Sequence, residues 1–437
     1  MVSESIAGQG EAAEIRSPDL AEGSDVLRHP DFRRLWVANA MRDAAAEVAS
    51  FALPVTALLL LHASALEVSV IFFCSRLGYL LVSLPAGVWV DRWHKKRILV
   101  ISDLIYACSF GSIPVAYAID ILTVQQMMVV AFLVSVCGVF FDVAHASILP
   151  QILPKNRIAD ANARLQTSET AIQSVSPSVA GALTNNIAAP LLYCFTLLCH
   201  LGSAFLVGKV GASVREVSSK NNTPDRHFLR EAAAGIKILR NQPLLRLLFA
   251  QAALNNFGAG MMLAMMPVFL LKEIHISTWM FGLLSTLGAI SGLCASLVCP
   301  RLRRRLGEIR MTLIFSALTP AALVAAPLAS MFRGAAVPLA ATAEICIGFV
   351  VVGRAVATAG LRARVTPSQY LGRVTAANNL VTQGATPLGA VVAGVVASAS
   401  TTSVSLWTGV IEMCIPLFIL INSPMRSIRT LPREWEA

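Results

Sequence analysis

The sequence predicts an all-α membrane protein of twelve transmembrane helices, arranged as two pseudo-symmetric six-helix bundles. Three observations lead there. Hydrophobic residues make up 56% of the chain and charged residues only 14%, with a mean hydropathy of +0.67, so the apolar side chains exceed what a water-soluble core of 437 residues can bury. The apolar residues fall into twelve runs, each reaching the roughly 20 residues that a bilayer crossing needs. The runs divide six and six about a polar stretch.

In chain order, a polar segment over 1–30 lacks an apolar core and reads as a disordered cytoplasmic tail. Runs near 34–61, 67–91, 97–119, 122–148, 160–186 and 189–211 form the first bundle, 31–211. The stretch 212–243, rich in Ser, Asn, Lys and Arg, is a cytoplasmic linker. Its end, Phe228 to Leu239, has apolar residues at helical spacing and predicts an amphipathic helix on the membrane surface. Runs near 244–271, 277–300, 309–331, 335–361, 370–398 and 401–423 form the second bundle, 244–424, and 425–437 is a second cytoplasmic tail.

The net charge of +10 would point to nucleic acid in a soluble protein. Here the basic residues sit at the ends of apolar runs, where they set topology, so no nucleic acid is expected. Arg33, Arg34, Lys155, Arg157, Arg303, Arg304, Arg305 and Arg364 fall on one side of the membrane, whereas only Lys272 and Arg333 occupy short loops on the other. Both termini are therefore expected in the cytoplasm, and the chain is expected in the cell membrane as a multi-pass protein. The nine cysteines lie mostly within apolar runs and read as packing residues, without metal-ligand spacing.

The turn from Gly87 to Arg97 reads Gly-Val-Trp-Val-Asp-Arg-Trp-His-Lys-Lys-Arg. It resembles the loop between helices two and three of the major facilitator superfamily: Gly87, Asp91, Arg92, Lys95 and Lys96 fit that pattern, and His94 stands at its second glycine. Gly87 is small enough for a neighbouring backbone to approach. Internal repetition supports the resemblance. Pro154-Lys155-Asn156-Arg157 leads into a helix with Ser176-Pro177 and Gly181, and Pro367-Ser368-Gln369-Tyr370 leads into one with Thr386-Pro387, Gly389 and Gly394. Leu302 to Gly307 resembles a copy of the charged turn without its aspartate. Such repeats place a substrate site at mid-membrane between the halves.

Phe32 to Trp36, Asp91-Arg92-Trp93, Asp103-Leu104, Phe141-Asp142 and Leu149-Pro150 are similar to the branch containing macrolide-efflux and enterobactin-exporter-like proteins. The resemblance implies a gating turn. Asp91 would cap the start of the eleventh helix near Gly372 and Arg373, and Arg92 would pair with Asp103 or another nearby acid. It also implies antiport, although Ser176-Pro177 with Gly181 lacks the first glycine of the antiporter pattern and Val134 to Asp142 holds no arginine.

An ionisable side chain inside a span costs about 2.5 to 3.5 kcal/mol, so each should face a cavity or a partner. Asp43 and Glu47 lie one turn apart in the first run, and Arg76 lies mid-way along the second. Two readings of them stay open: a carboxylate whose proton exchanges with a cationic substrate or with Arg76, and a permanent structural ion pair. Glu169, Asn256, Glu344 and Arg354 are further candidates for substrate contact or proton coupling, with Glu344 ranked above Glu412 because the tenth helix borders the cavity in related transporters. Arg42 is expected to neutralise Asp43.

No Gly-x-x-x-x-Gly-Lys-Ser/Thr, His-Glu-x-x-His or Gly-x-Ser-x-Gly sequence occurs, so neither an ATP-driven pump nor an enzyme is expected. The expected function is secondary active export of hydrophobic small molecules, an antibiotic, drug or secondary metabolite, by proton antiport and alternating access. The proton gradient is the energy source, no cofactor or metal is involved, and the protein works as a monomer in the lipid bilayer. The alternative is an importer or metabolite symporter of the same fold. A membrane enzyme or receptor is a third class.

Overall fold

The computed structural model describes residues 26–211, 243–366 and 370–423. The linker helix expected over 228–239, and nearly all of both tails, lie outside the described residues. Where the first tail was expected to run to residue 30, a 3-10 turn at Val26–Arg28 precedes the first helix. Val26 is buried beside Phe32 and Leu35, which fixes this part of the segment.

The first six helices are α1 (Pro30–Val55), α2 (Ala65–Arg92), α3 (Lys95–Ala118), α4 (Val124–Ile152), α5 (Ile158–Leu183) and α6 (Leu192–Gly208). The second six are α7 (Pro243–Val268), α8 (Thr278–Leu306), α9 (Glu308–Leu323, resumed after Val324 as Ala325–Met331), α10 (Ala336–Val365), α11 (Leu371–Ala399) and α12 (Thr402–Ile421). Eleven of these are long and apolar enough to cross a membrane among the described residues. The exception, α5, carries Asp160, Arg164 and Glu169. It packs between α1 and α8, with Asp160 and Arg164 exposed.

Local sequence explains the helix starts. Ser64 and Glu67 form a reciprocal capping box at the head of α2, and Thr123, Ser277 and Thr401 cap α4, α8 and α12 through their hydroxyl oxygens. Each such cap stabilises a helix by about 1 kcal/mol relative to alanine. All four stand at the end of the molecule opposite the basic turns.

The two halves repeat in fine detail. α1 runs into a π turn at Thr56–Leu60 and α7 into one at Phe269–Glu273. Each turn is followed by a histidine in the left-handed region, His62 with φ 53° and His275 with φ 57°. The next residue donates its N–H back into the turn, Ala63 to the Ala57 carbonyl at 2.8 Å and Ile276 to that of Leu270 at 3.1 Å. Pro54 and Pro267, His62 and His275, Ser64 and Ser277, and Gly181 and Gly394 are all separated by one constant interval along the chain.

Contact between the halves runs through α2 against α11 and α5 against α8. A Cβ on Gly181 would stand 2.8 Å from the Thr278 carbonyl oxygen and 3.2 Å from the Trp279 Cα; one on Gly394 would stand 2.5 Å from Ser69 Oγ and 3.1 Å from the Leu66 Cα. These are equivalent crossings, and both need a residue without a side chain on the approaching helix. At this same end the buried apolar core spans both halves, with Phe51 of α1 stacked on Phe281 of α8 at 5.5 Å. Toward the basic turns the core divides into clusters that each belong to one half, around Phe32 and Phe141 in the first, around Leu245 and Leu361 in the second. The molecule is thus joined at one end and parted at the other.

Candidate functional site

In the first half, Asp43 and Glu47 extend from one face of α1, as their spacing dictates. Asn39 Nδ2 donates to Asp43 at 2.8 Å. Glu169 of α5 accepts from Gln166 at 3.1 Å and Gln173 at 3.3 Å, both on its own helix. The three carboxylates act electrostatically on one another, and Arg76 of α2 acts on Glu47. Four of the six ionisable candidates, Asp43, Glu47, Arg76 and Glu169, are therefore brought together. Arg76 and Glu47 nevertheless make no direct ion pair; Arg76 is exposed and lies 5.8 Å from the Phe72 ring centroid.

Arg42 does not serve Asp43 as its close partner. One turn geometry sends it the other way, into a buried network among α1, α3, α4 and α6. Its Nη1 donates to Asp103 at 3.2 Å and its Nη2 to the Tyr106 hydroxyl at 3.3 Å, while the guanidinium lies 3.4 Å from the Phe141 ring centroid. Ser203 Oγ donates to the second Asp103 oxygen at 2.6 Å, and His200 Nδ1 lies 3.2 Å from the first. Asp103 is fully buried. The pairing expected between Arg92 and Asp103 is thus replaced: Arg92 ends α2 exposed, whereas Asp103 sits two turns inside α3 and faces α1 and α6. Tyr79 of α2 donates its hydroxyl to Asp142 of α4. A polar residue at matching depth in each of the runs that became α1, α3 and α6 was the available sequence signal for this network.

Around the charged turn, Trp89 and Trp93 stack on Phe140 at 6.0 and 6.3 Å. Lys96 Nζ donates to the Val210 carbonyl at 2.8 Å, tying the start of α3 to the end of α6. Gly87 does not admit a close neighbour: a Cβ built there meets nothing within 4 Å, because the halves are parted at this end. Lys95 is partly buried at the first residue of α3. The side chains of Asp91 and Arg373, on which the expected gate rests, lie outside the described residues.

In the second half, a cavity of about 310 Å³ lies among α7, α10 and α11. Asn256 of α7 and Arg354 of α10 line it, together with Gln251, Thr358 and Arg362, which the sequence reading did not single out. Gln251 Nε2 donates to Ser316 Oγ on α9 at 2.7 Å, and Asn256 Nδ2 to its own helix at the Ala252 carbonyl, 2.8 Å. Glu344, ranked highest on α10, does not line this cavity. It lies nearly three turns before Arg354 and packs against Gly288 of α8, where an added Cβ would stand 3.0 Å from its Oε2. Glu412 of α12 packs against Gly258 of α7, its two oxygens buried without a hydrogen-bond partner.

Among the described residues, twelve helices in two repeating sets, meeting through α2 with α11 and α5 with α8, define a membrane transporter fold. The Major Facilitator Superfamily model matches residues 35–390, and the chain belongs to that family. It is similar to the multidrug efflux pump Tap of Mycolicibacterium fortuitum, 24% identical over 379 residues that cover 82% of this chain and 86% of the pump. It is also similar to macrolide efflux protein A of Streptococcus pyogenes, 26% identical over 193 residues, 42% of this chain and 45% of that protein. Among solved structures, a bacterial homologue of the iron transporter ferroportin in an inward-facing state superposes with a TM-score of 0.75 at 17% identity, covering 91% of this chain and 99% of the other. That likeness is one of fold.

Proposed function

We propose that this protein is a secondary active transporter that exports hydrophobic small molecules from the cell by proton antiport and alternating access. The observation that carries the reading is the asymmetry of contact between the halves. They meet through equivalent glycine crossings at one end and separate into independent cores at the other, which is how one state of a rocking two-bundle carrier is built. The basic turns on the parted side favour a cytoplasmic placement for that side and for both termini, in the cell membrane. Export, and not import, is favoured by the efflux named for Tap and macrolide efflux protein A.

Asp43, Glu47 and Glu169 are the proposed proton-coupling group. The three carboxylates gather where α5 packs on α1, and ionisable side chains held inside a span are characteristic of proton paths. Cells expressing the protein in a pump-deficient host are expected to accumulate less of a lipophilic dye, and a protonophore is expected to abolish the difference. Greater accumulation in expressing cells would establish an importer in its place.

A further inference from the structure

Among the described residues, the second-half cavity carries a positive charge without an ion-pair partner. Arg354 of α10 contributes to its wall, and its Nε is buried without a hydrogen-bond acceptor. No ion pair to Arg354 occurs among the described residues, and no acid lines the cavity. Arg362, two turns further along the same helix, is the second cation of the wall, with Thr358 between them on one stripe.

None of the wall's neutral polar groups supplies an acceptor to Arg354 Nε. Thr358 donates its hydroxyl to the Arg354 carbonyl at 2.9 Å and Thr382 donates to the Asn378 carbonyl at 3.0 Å. One amide N–H of Gln251 and one of Asn256 are likewise committed to protein acceptors. The rest of the wall is apolar, with Leu248, Val351 and Ala355. An unpaired guanidinium inside a span is costly unless something anionic arrives to meet it. Arginine's planar fork suits a carboxylate or phosphate, which it takes in bidentate fashion.

We propose that this cavity is a binding site for an amphiphilic organic anion, with Arg354 holding the carboxylate or phosphate group and the apolar wall taking the hydrocarbon body. The proposal names a substrate class for the transporter reading above and rests on it only in placing the cavity on the transport path. Binding and flux are therefore measured separately.

The test uses the purified full-length chain in a non-ionic detergent and three probes sharing one ring system: 1-naphthoate, 1-naphthyl phosphate and 1-naphthylmethylammonium, titrated calorimetrically. At least one of the two anions is expected to bind about tenfold or more tightly than the ammonium probe. Arg354→Gln should weaken that anion about tenfold, and Arg354→Lys should recover part of the loss, with both variants eluting as the wild type does on size exclusion. Equal or tighter binding of the ammonium probe to the wild type overturns the proposal, a comparison that needs no variant to fold. Undiminished anion binding by a folded Arg354→Gln protein overturns it as well. Lysophosphatidylglycerol added as competitor separates sources: displacement assigns the site to a lipid headgroup, no displacement to a soluble anion, and either result upholds an anion site. If anions bind and no dye is exported, the site stands while the transport reading fails.

Discussion

Gly181 of α5 lies directly against Gly282 of α8, with a Cβ on Gly181 placed 3.3 Å from the Gly282 Cα and one on Gly282 falling onto the Pro177 carbonyl. The contact joins the two halves at the end where their cores merge. Whatever widens it opposes closure there.

Gly181→Val should therefore insert normally, yet hold the crossing apart and reduce dye export by about tenfold or more, with overpacking costing about 1 to 3 kcal/mol of stability. Gly394→Val should act alike through Ser69, its equivalent partner. Cross-linking between cysteines placed at the outer ends of α5 and α8 measures the effect. Efficient cross-linking and full export in Gly181→Val would count against the closure role.

Asp103→Asn should be the most destabilising of the polar substitutions. It leaves Arg42 buried without its carboxylate and weakens the Ser203 and His200 contacts. Loss of one partner of a buried pair costs about 3 to 5 kcal/mol. A thermal melt in detergent reads this, and removing both charges together in Arg42→Met with Asp103→Leu should restore part of the lost melting temperature.

Glu47 and Arg76 separate the two meanings of the acids in α1. Since they make no direct ion pair, Arg76→Gln should change stability by less than about 1 kcal/mol. Glu47→Gln should leave the protein folded while making dye efflux insensitive to the imposed pH gradient. Unaltered coupling in reconstituted vesicles would remove Glu47 from the proton path.

Asp91→Asn tests the charged turn by function. The variant should insert and remain monodisperse but transport slowly, as expected of a turn that holds one closed state. Initial rates in vesicles decide it, and wild-type flux would leave the turn as a topological anchor.

Much of the architecture was readable because bilayer thickness fixes the length of an apolar run and basic residues mark its ends. The equivalence of the fifth and eleventh helices was legible in Gly181 and Gly394 and returns in their matching crossings. Direction around a helix was not readable. Most spans are apolar on every side, so periodicity says little about which way Arg42 or Asp103 points; Arg42 turned toward α3 and Asp103 toward α6. Gly87 shows the same limit, since a glycine can mark close packing or open space and here it borders space. Arg354 and not Glu344 reaches the cavity for a simple geometric reason: they lie on one helix nearly three turns apart, and only Arg354 meets α7 and α11 where the bundle parts. Asp43 and Glu47 were legible because one turn separates them, whereas Glu169 joined them only through the packing of α5 on α1.

The paired π turns with their left-handed histidines mean that the chain was composed twice from one pattern. Residues 56–64 and 269–277 follow the same backbone course at the same place in each half, while Lys272 and Glu273 add bonds to Ala63, Thr402 and Ser403 that Leu59 and Leu60 cannot make. A carrier with the two segments transplanted reciprocally should still assemble, with a melting temperature lowered by the loss of those bonds.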